Sequence, residues 1–283
     1  MITCFGEVLI DCLPTGDVVG GAPFNVAVHL ERYGDDVVFL SRIGEDVYAD
    51  QILDLLKDSK LKESLQQDSD YETGFVSVIF KNGEPQYTIH TDVAWQNINV
   101  PKDLVSDYIV FGSLGTYFEH NKKSFEQLLS QSPRATKFCD INLRAPFYDK
   151  EHVLFCLENA DILKLNEDEE EYVKEVIGVS SLEEMVETLE DQFSITTILI
   201  TRGDKDVEVF SNGQSTKIDV TQVSKDDFKD PIGAGDSFAA TFIYESLQGE
   251  NFEVAVKKGV DFAAEICKVD GALPTDLSGY KKG

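Results

Sequence analysis

The sequence predicts an α/β fold, a largely parallel sheet covered by helices on both faces, with one small β element added to it. Three observations carry the prediction. Short apolar, β-branched runs alternate with amphipathic segments along most of the chain, the pattern of strands joined by helical crossovers. Residues 73–91 break that alternation with two consecutive strand-like runs. Late in the chain, a glycine turn opens an apolar helix.

In order, MITCFGEVLI reads as a strand, FNVAVHLERYG as a helix ending at Gly34, VVFLSRIG as a strand and VYADQILDLLKDS as a helix. TGFVSVIFKNGEPQYTIHT follows, a hairpin around Asn82-Gly83, since that dipeptide accepts positive φ. A hairpin between βα units does not belong in a plain doubly wound sheet. It predicts a small β-strand lid, built from about residues 12–20 and 72–98, over the mouth of the sheet. The alternation then resumes. DYIVFGS and KFCDIN are strands separated by the helix KKSFEQLLSQ, DILKLN precedes the acidic helix DEEEYVKEVI, and SSLEEMVETLEDQF leads to the strand TTILITRG. Ligands of such a sheet bind beyond the C-terminal ends of its strands.

A length of 283 residues sits at the upper end of one hydrophobic core, so residues 1–283 are expected to form a single domain. No apolar run approaches the roughly 20 residues that span a bilayer. The start of the chain reads as a buried strand rather than a secretory signal, and the five cysteines are scattered without CxxC spacing. Both point to a reduced, cytoplasmic protein. The four histidines (His29, His90, His120, His152) form no HxH or HxxxH pair and are expected at surface or half-buried positions. A net charge of -27 excludes nucleic acid and anionic membranes as partners. Any phosphate ligand must therefore be held by local devices: backbone N–H groups, a few cationic side chains or a divalent cation.

The segment DPIGAGDSFAATFIYESLQG, residues 230–249, offers such a device. Gly233, Ala234 and Gly235 form a turn nearly free of side chains, and the helix behind it points its free N–H groups and positive dipole end outward. Asp236 stands at that helix start. Read from the residues alone, it is either an N-cap or a base that holds a hydroxyl beside a bound phosphoryl group.

The GAGD turn, together with GGAPFNVA at residues 20–27, resembles the two signatures of the ribokinase-like carbohydrate kinases of the PfkB type, and GGAPFNVA is especially similar to bacterial fructokinases. GEVLIDCLP, SRIGEDVYADQI, FGSL, DINLR and LKLNEDE extend the resemblance over nearly the whole chain. It implies a ribokinase-like three-layer α/β/α sandwich and an ATP- and Mg²⁺-dependent sugar kinase, with fructose as leading substrate. It implies that Asp236 is the catalytic base and that the amides of Gly233, Ala234 and Gly235 stabilise the transferring γ-phosphoryl group. Asp11, Gly21, Asn25 and Asn142 map to the sugar site, Arg144 to the transferring phosphate, Thr201 and Gly203 to the nucleotide, and Asn166 and Glu169 to Mg²⁺, held through water. In several relatives the lid strands pair between subunits, which implies a homodimer.

Plainer roles stand beside these. Asn25 also fits a helix N-cap, Asp11 a turn residue, Arg144 an exposed salt bridge, and the acidic run at 167–171 a solvated helix start. Three positions depart from the family pattern: Pro231 replaces a threonine, Asp206 a second glycine, and Phe24 a small residue. Ribokinase and 2-keto-3-deoxygluconate kinase activities are the rivals on the same scaffold, and a catalytically weakened sugar-binding or regulatory protein is the rival of another class. A dinucleotide-dependent oxidoreductase lacks support, because no GxGxxG follows the first strand.

Overall fold

The computed structural model describes residues 1–14, 16–81 and 84–280. Its first departure from the sequence reading is at Gly6, which divides MITCFGEVLI into two strands, Ile2–Phe5 (β1) and Leu9–Leu13 (β2). Gly6 has φ 147°, and a Cβ there would stand 2.6 Å from Pro23 Cγ, so the chain turns sharply where only glycine fits. The remaining strands are Gly16–Gly20 (β3), Val37–Leu40 (β4), Arg42–Ile43 (β5), Gln66–Gln67 (β6), Gly74–Lys81 (β7), Glu84–Ile89 (β8), Tyr108–Gly112 (β9), Thr136–Asp140 (β10), Ile162–Asn166 (β11), Thr197–Thr201 (β12), Asp206–Ser211 (β13) and Gln214–Asp219 (β14). The helices are Ala22–Tyr33 (α1), Val47–Leu55 (α2), Ser113–Tyr117 (α3), Glu119–Gln131 (α4), Lys150–Glu158 (α5), Glu167–Ile177 (α6), Leu182–Phe193 (α7), Ala234–Leu247 (α8) and Phe252–Ile266 (α9). VVFLSRIG also proves to be two strands, β4 and β5, in different sheets.

Eight strands form the main sheet in the order β14-β13-β12-β11-β10-β9-β1-β4. The six from β12 to β4 run parallel, and the β13–β14 hairpin closes one edge antiparallel. Alternate residues serve opposite faces. Tyr108, Val110, Phe138, Ile162 and Leu199 join the core with α1, α8 and α9, while Ile109, Phe111, Cys139, Leu163 and Ile198 join the core with α4, α5, α6 and α7. This is the three-layer sandwich that the sequence predicts.

The second sheet, β3-β2-β7-β8, is the expected extra β element. It starts at Leu9, three residues earlier than the predicted 12–20 segment, and its strands β7 and β8 are the predicted hairpin; the Asn82-Gly83 turn lies outside the described residues. Its root is fixed by polar bonds: Thr73 N donates to Asp46 Oδ2 at 2.8 Å and Gly44 N to Thr73 Oγ1 at 2.9 Å. Gly74 lets the Trp95 indole lie against the strand, where a Cβ would come within 2.3 Å of it. Phe24, one of the departures from the family pattern, is fully buried and packs edge-on to Phe39 at 5.6 Å, so it fills the core rather than a ligand pocket. Two of the histidines depart from expectation: His29 and His152 are buried, His29 bonded to the Tyr280 hydroxyl at 2.6 Å. No helix among the described residues is long and apolar enough to cross a membrane.

Candidate active site

The parity that buries Phe138 and Ile162 beneath α8 puts Asp140 and Lys164, two residues farther along β10 and β11, beneath the start of that helix. The start itself is bare. Gly233 is the N-cap, in the left-handed region at φ 76°, with no side-chain cap bond. A Cβ on Gly233 would meet Ala272 at 2.3 Å, so the turn depends on glycine for conformation and for space. Of the three amides expected to face a phosphoryl group, that of Ala234 is committed to the Pro231 carbonyl at 3.1 Å. The amides of Gly233 and Gly235 have no bonded partner among the described residues.

Asp236 is not an N-cap. It is the third residue of α8, and its Oδ2 accepts from Asn25 Nδ2 at 2.7 Å across the site. Asn25 is no N-cap either, since α1 is capped by Gly21 and Asn25 lies inside its first turn. The remaining Asn25 amide oxygen is buried without a partner among the described residues, a cost that a ligand hydroxyl at that position would remove. Burial pushes the Asp236 carboxyl up to about 6, against the Asn25 bond; Asp140 adds to the rise, while Lys164 and Arg144 oppose it.

Gly21 and Asp11 belong to the same corner. A Cβ on Gly21 would strike the Glu7 carbonyl at 2.5 Å, and one on Gly20 would strike Asp11 Oδ2 at 2.6 Å. Burial raises the Asp11 carboxyl and the Arg144 charge lowers it, so Asp11 on β2 and Arg144 in the loop after β10 face one region. Arg144 itself is exposed and closes no ion pair with any described residue, which leaves its guanidinium available to an anion. Asn142 holds the left-handed conformation at φ 40°, which Asn tolerates better than most residues. It shares a small cavity with Glu7, Asp140 and Ser113.

The residues expected at Mg²⁺ are occupied differently. Asn166 and Glu169 form a capping box at the start of α6: Asn166 Oδ1 accepts from Glu169 N at 3.0 Å, and Glu169 Oε2 from Asn166 N at 2.8 Å. Glu169 Oε1 accepts from Leu143 N at 2.9 Å, bracing the loop that carries Asn142 and Arg144. Among the described residues no group of three His, Cys, Asp or Glu could cage a metal ion. A water-mediated role fits, because bonded carboxylate oxygens keep lone pairs and Mg²⁺ retains several waters. Among the described residues, Asp140, Glu169 and Asp236 act here against Lys164 and Arg144, a balance that leaves room for a cation.

Thr201 ends β12 in register with Asn166, its hydroxyl bonded to the Leu165 carbonyl at 3.3 Å, and Gly203 turns the chain at φ 56°. Asp206 opens β13 and pairs with Arg202 at 2.8 Å, so it stabilises this turn rather than widening it. Pro231 is exposed just before the bare helix start.

The sequence reading missed Glu7, Asp140 and Lys164. Burial pushes Glu7 up to about 7, with the facing amides of Glu7 and Ala22 working against it. The signal was a charged residue inside or beside an apolar strand, as in DILKLN and KFCDIN, where a charge is seldom left unpaired.

The fructokinase of Escherichia coli is 27% identical over 257 residues, covering 83% of this chain and 80% of that protein. The Xylella fastidiosa fructokinase structure with bound ATP superposes with a TM-score of 0.78 at 19% identity, over 98% of this chain and 94% of that one. The Vibrio cholerae O395 fructokinase, in its form with fructose, ADP and calcium ion bound, gives 0.80 at 20% identity, over 99% and 95%. These structures share the fold. The sequence profile of the pfkB family carbohydrate kinases matches residues 2–277, which takes in both glycine motifs, the second sheet and the bare start of α8, and the chain belongs to that family.

Proposed function

We propose that this carbohydrate kinase transfers the γ-phosphoryl group of ATP to a hydroxyl of a small sugar, with fructose the leading substrate and Asp236 the base. The observation that carries the reading is the pairing of Asp236 with Asn25 across an uncapped helix start. Asn25 fixes Oδ2 of the carboxylate and leaves Oδ1 for the sugar hydroxyl. Its own unpartnered amide oxygen is a ready acceptor for a second hydroxyl. Asp11, Gly21 and Asn142 are assigned to the sugar corner, and the 27% identity to the E. coli fructokinase is what puts fructose ahead of ribose and 2-keto-3-deoxygluconate.

In the reaction the hydroxyl proton passes to Asp236 Oδ1 as the oxygen attacks the γ-phosphorus. The bond from that phosphorus to the β–γ bridging oxygen breaks, and ADP leaves with the bonding pair. The amides of Gly233 and Gly235 and the Arg144 guanidinium stabilise the charge on the phosphoryl oxygens. Thr201 and Gly203 are the candidates for nucleotide contact. Mg²⁺ bound with ATP would neutralise phosphate charge, and Asn166 and Glu169 would orient its waters. The second sheet serves as the lid that excludes competing water. Its exposed edge strands β3 and β8, which carry the exposed Val18 and Tyr87, are the surface for a homodimer.

The test is ADP release from ATP and Mg²⁺ with fructose, ribose, 2-keto-3-deoxygluconate, glucose and adenosine. Release with fructose well above the others is expected. Preference for another sugar would move the substrate and keep the mechanism. Sugar binding with no sugar-dependent release would replace the kinase by a binding protein.

A further inference from the structure

Asp140 and Lys164 stand directly opposite each other on β10 and β11 and close an ion pair of 2.8 Å, with side chains 10% and 8% exposed. Withdrawing both charges from water is costly, and a hydrophobic pair would serve packing as well. The position of the ammonium suggests what the pair does. A Cβ added at Gly235 would stand 3.4 Å from Lys164 Nζ, so the cation lies against the second residue of α8, next to Asp236.

We infer that Lys164, held by Asp140 beneath the start of α8, is a positioning residue for phosphoryl transfer: a fixed internal cation that favours the ionised form of Asp236 and backs the glycine turn. The inference rests on Asp236 being the base. The ammonium is fixed by the Asp140 carboxylate at 2.8 Å and lies against Gly235, so its place beside Asp236 is set by the strand register and the ion pair. The groups acting on Asp236 come from every neighbouring element. Lys164 on β11 and Arg144 after β10 favour the carboxylate, as does the neutral Asn25 on α1; Asp140 on β10 opposes it, and Glu7 after β1, pushed up to about 7, is itself raised by the Asp236 charge. Glu169 on α6 acts on the ion pair itself. Removing Lys164 must therefore raise the pH at which Asp236 loses its proton, and removing Asp140 must lower it. A pair that served only packing would depress activity in both variants without opposite shifts.

Two readouts test this: the acid limb of kcat/KM with fructose, and ¹³C NMR titration of the aspartate carboxyls, with the Asp236 signal assigned by its loss in Asp236→Asn. Lys164→Met is expected to move both upward by about one pH unit or more, and Asp140→Asn to move both downward. The double variant Lys164→Met/Asp140→Asn should fall between the two singles. If Lys164→Met does not fold, Asp140→Asn and the charge-balanced double carry the test. An Asp236 titration that stays in place in Asp140→Asn, or shifts in the same direction in both singles, overturns the role of Lys164 and leaves the base standing. An acid limb that persists unchanged in Asp236→Asn removes the base assignment, and this inference with it.

Discussion

Helices α6 and α8 both begin at the C-terminal edge of the main sheet near Lys164, and they begin in opposite ways. The start of α6 is sealed. Asn166 and Glu169 satisfy each other's amides, and four acidic residues crowd its first turn. The start of α8 is open, with a left-handed glycine in place of a capping side chain, and its single first-turn acid, Asp236, reaches away to Asn25. A sealed start has spent its donors on itself, whereas an open one keeps amides and dipole for an anion. Both starts carry family motifs, so residue type alone does not separate them. The destination of each side chain's hydrogen bonds does.

The largest effect expected from disturbing this contrast is at Gly233. Gly233→Ala would force a side chain into the left-handed region, at about 1–2 kcal/mol, and into Ala272. Turnover should fall by about 100-fold or more, with a lower Tm in thermal melts; unchanged kinetics would show that the open turn is not the anion site. Asn25→Ala comes next. Losing the bond to Oδ2 should raise KM for the sugar about tenfold. Because that bond holds the Asp236 pKa down, the acid limb of kcat/KM should move upward from about 6. A limb that moves down would show that Asn25 does not stabilise the ionised carboxylate. The smallest effect belongs to the sealed start. Asn166→Ala should cost about 1 kcal/mol of stability, a Tm drop of about 2–4 °C, and leave turnover within roughly tenfold, with a weaker apparent affinity for Mg²⁺. Collapse of turnover at unchanged Tm would put α6 inside the chemistry and erase the contrast.

The alternation of strands and helices, the hairpin and the glycine turn were all legible in the sequence, because each depends on local periodicity or on backbone freedom at glycine. What escaped depends on long-range placement. The break at Gly6 is set by Pro23 packing against it. The antiparallel β13–β14 edge is the exception, since its Asn212-Gly213 turn, with both residues at positive φ, is the same local hairpin signal as Asn82-Gly83. For Asp236 and Asn25 the family motif located the residues, but the choice between cap and site turned on a contact 211 positions apart in sequence. For Asn166 and Glu169 the reverse holds: the capping box is local, and the acidic helix start could be read from composition. Lys164 and Asp140 look like interruptions in apolar strands until the register places them opposite one another beneath α8.

The account stands on Asp236 doing chemistry rather than holding structure, and Asp236→Asn tests that most directly when ADP release and fructose affinity by calorimetry are measured on the same preparation. The expected result is turnover reduced by about 1000-fold or more with fructose affinity changed only a few-fold, since the amide keeps the shape of the site and loses the base. Turnover within tenfold of the native protein, at any affinity, would contradict it.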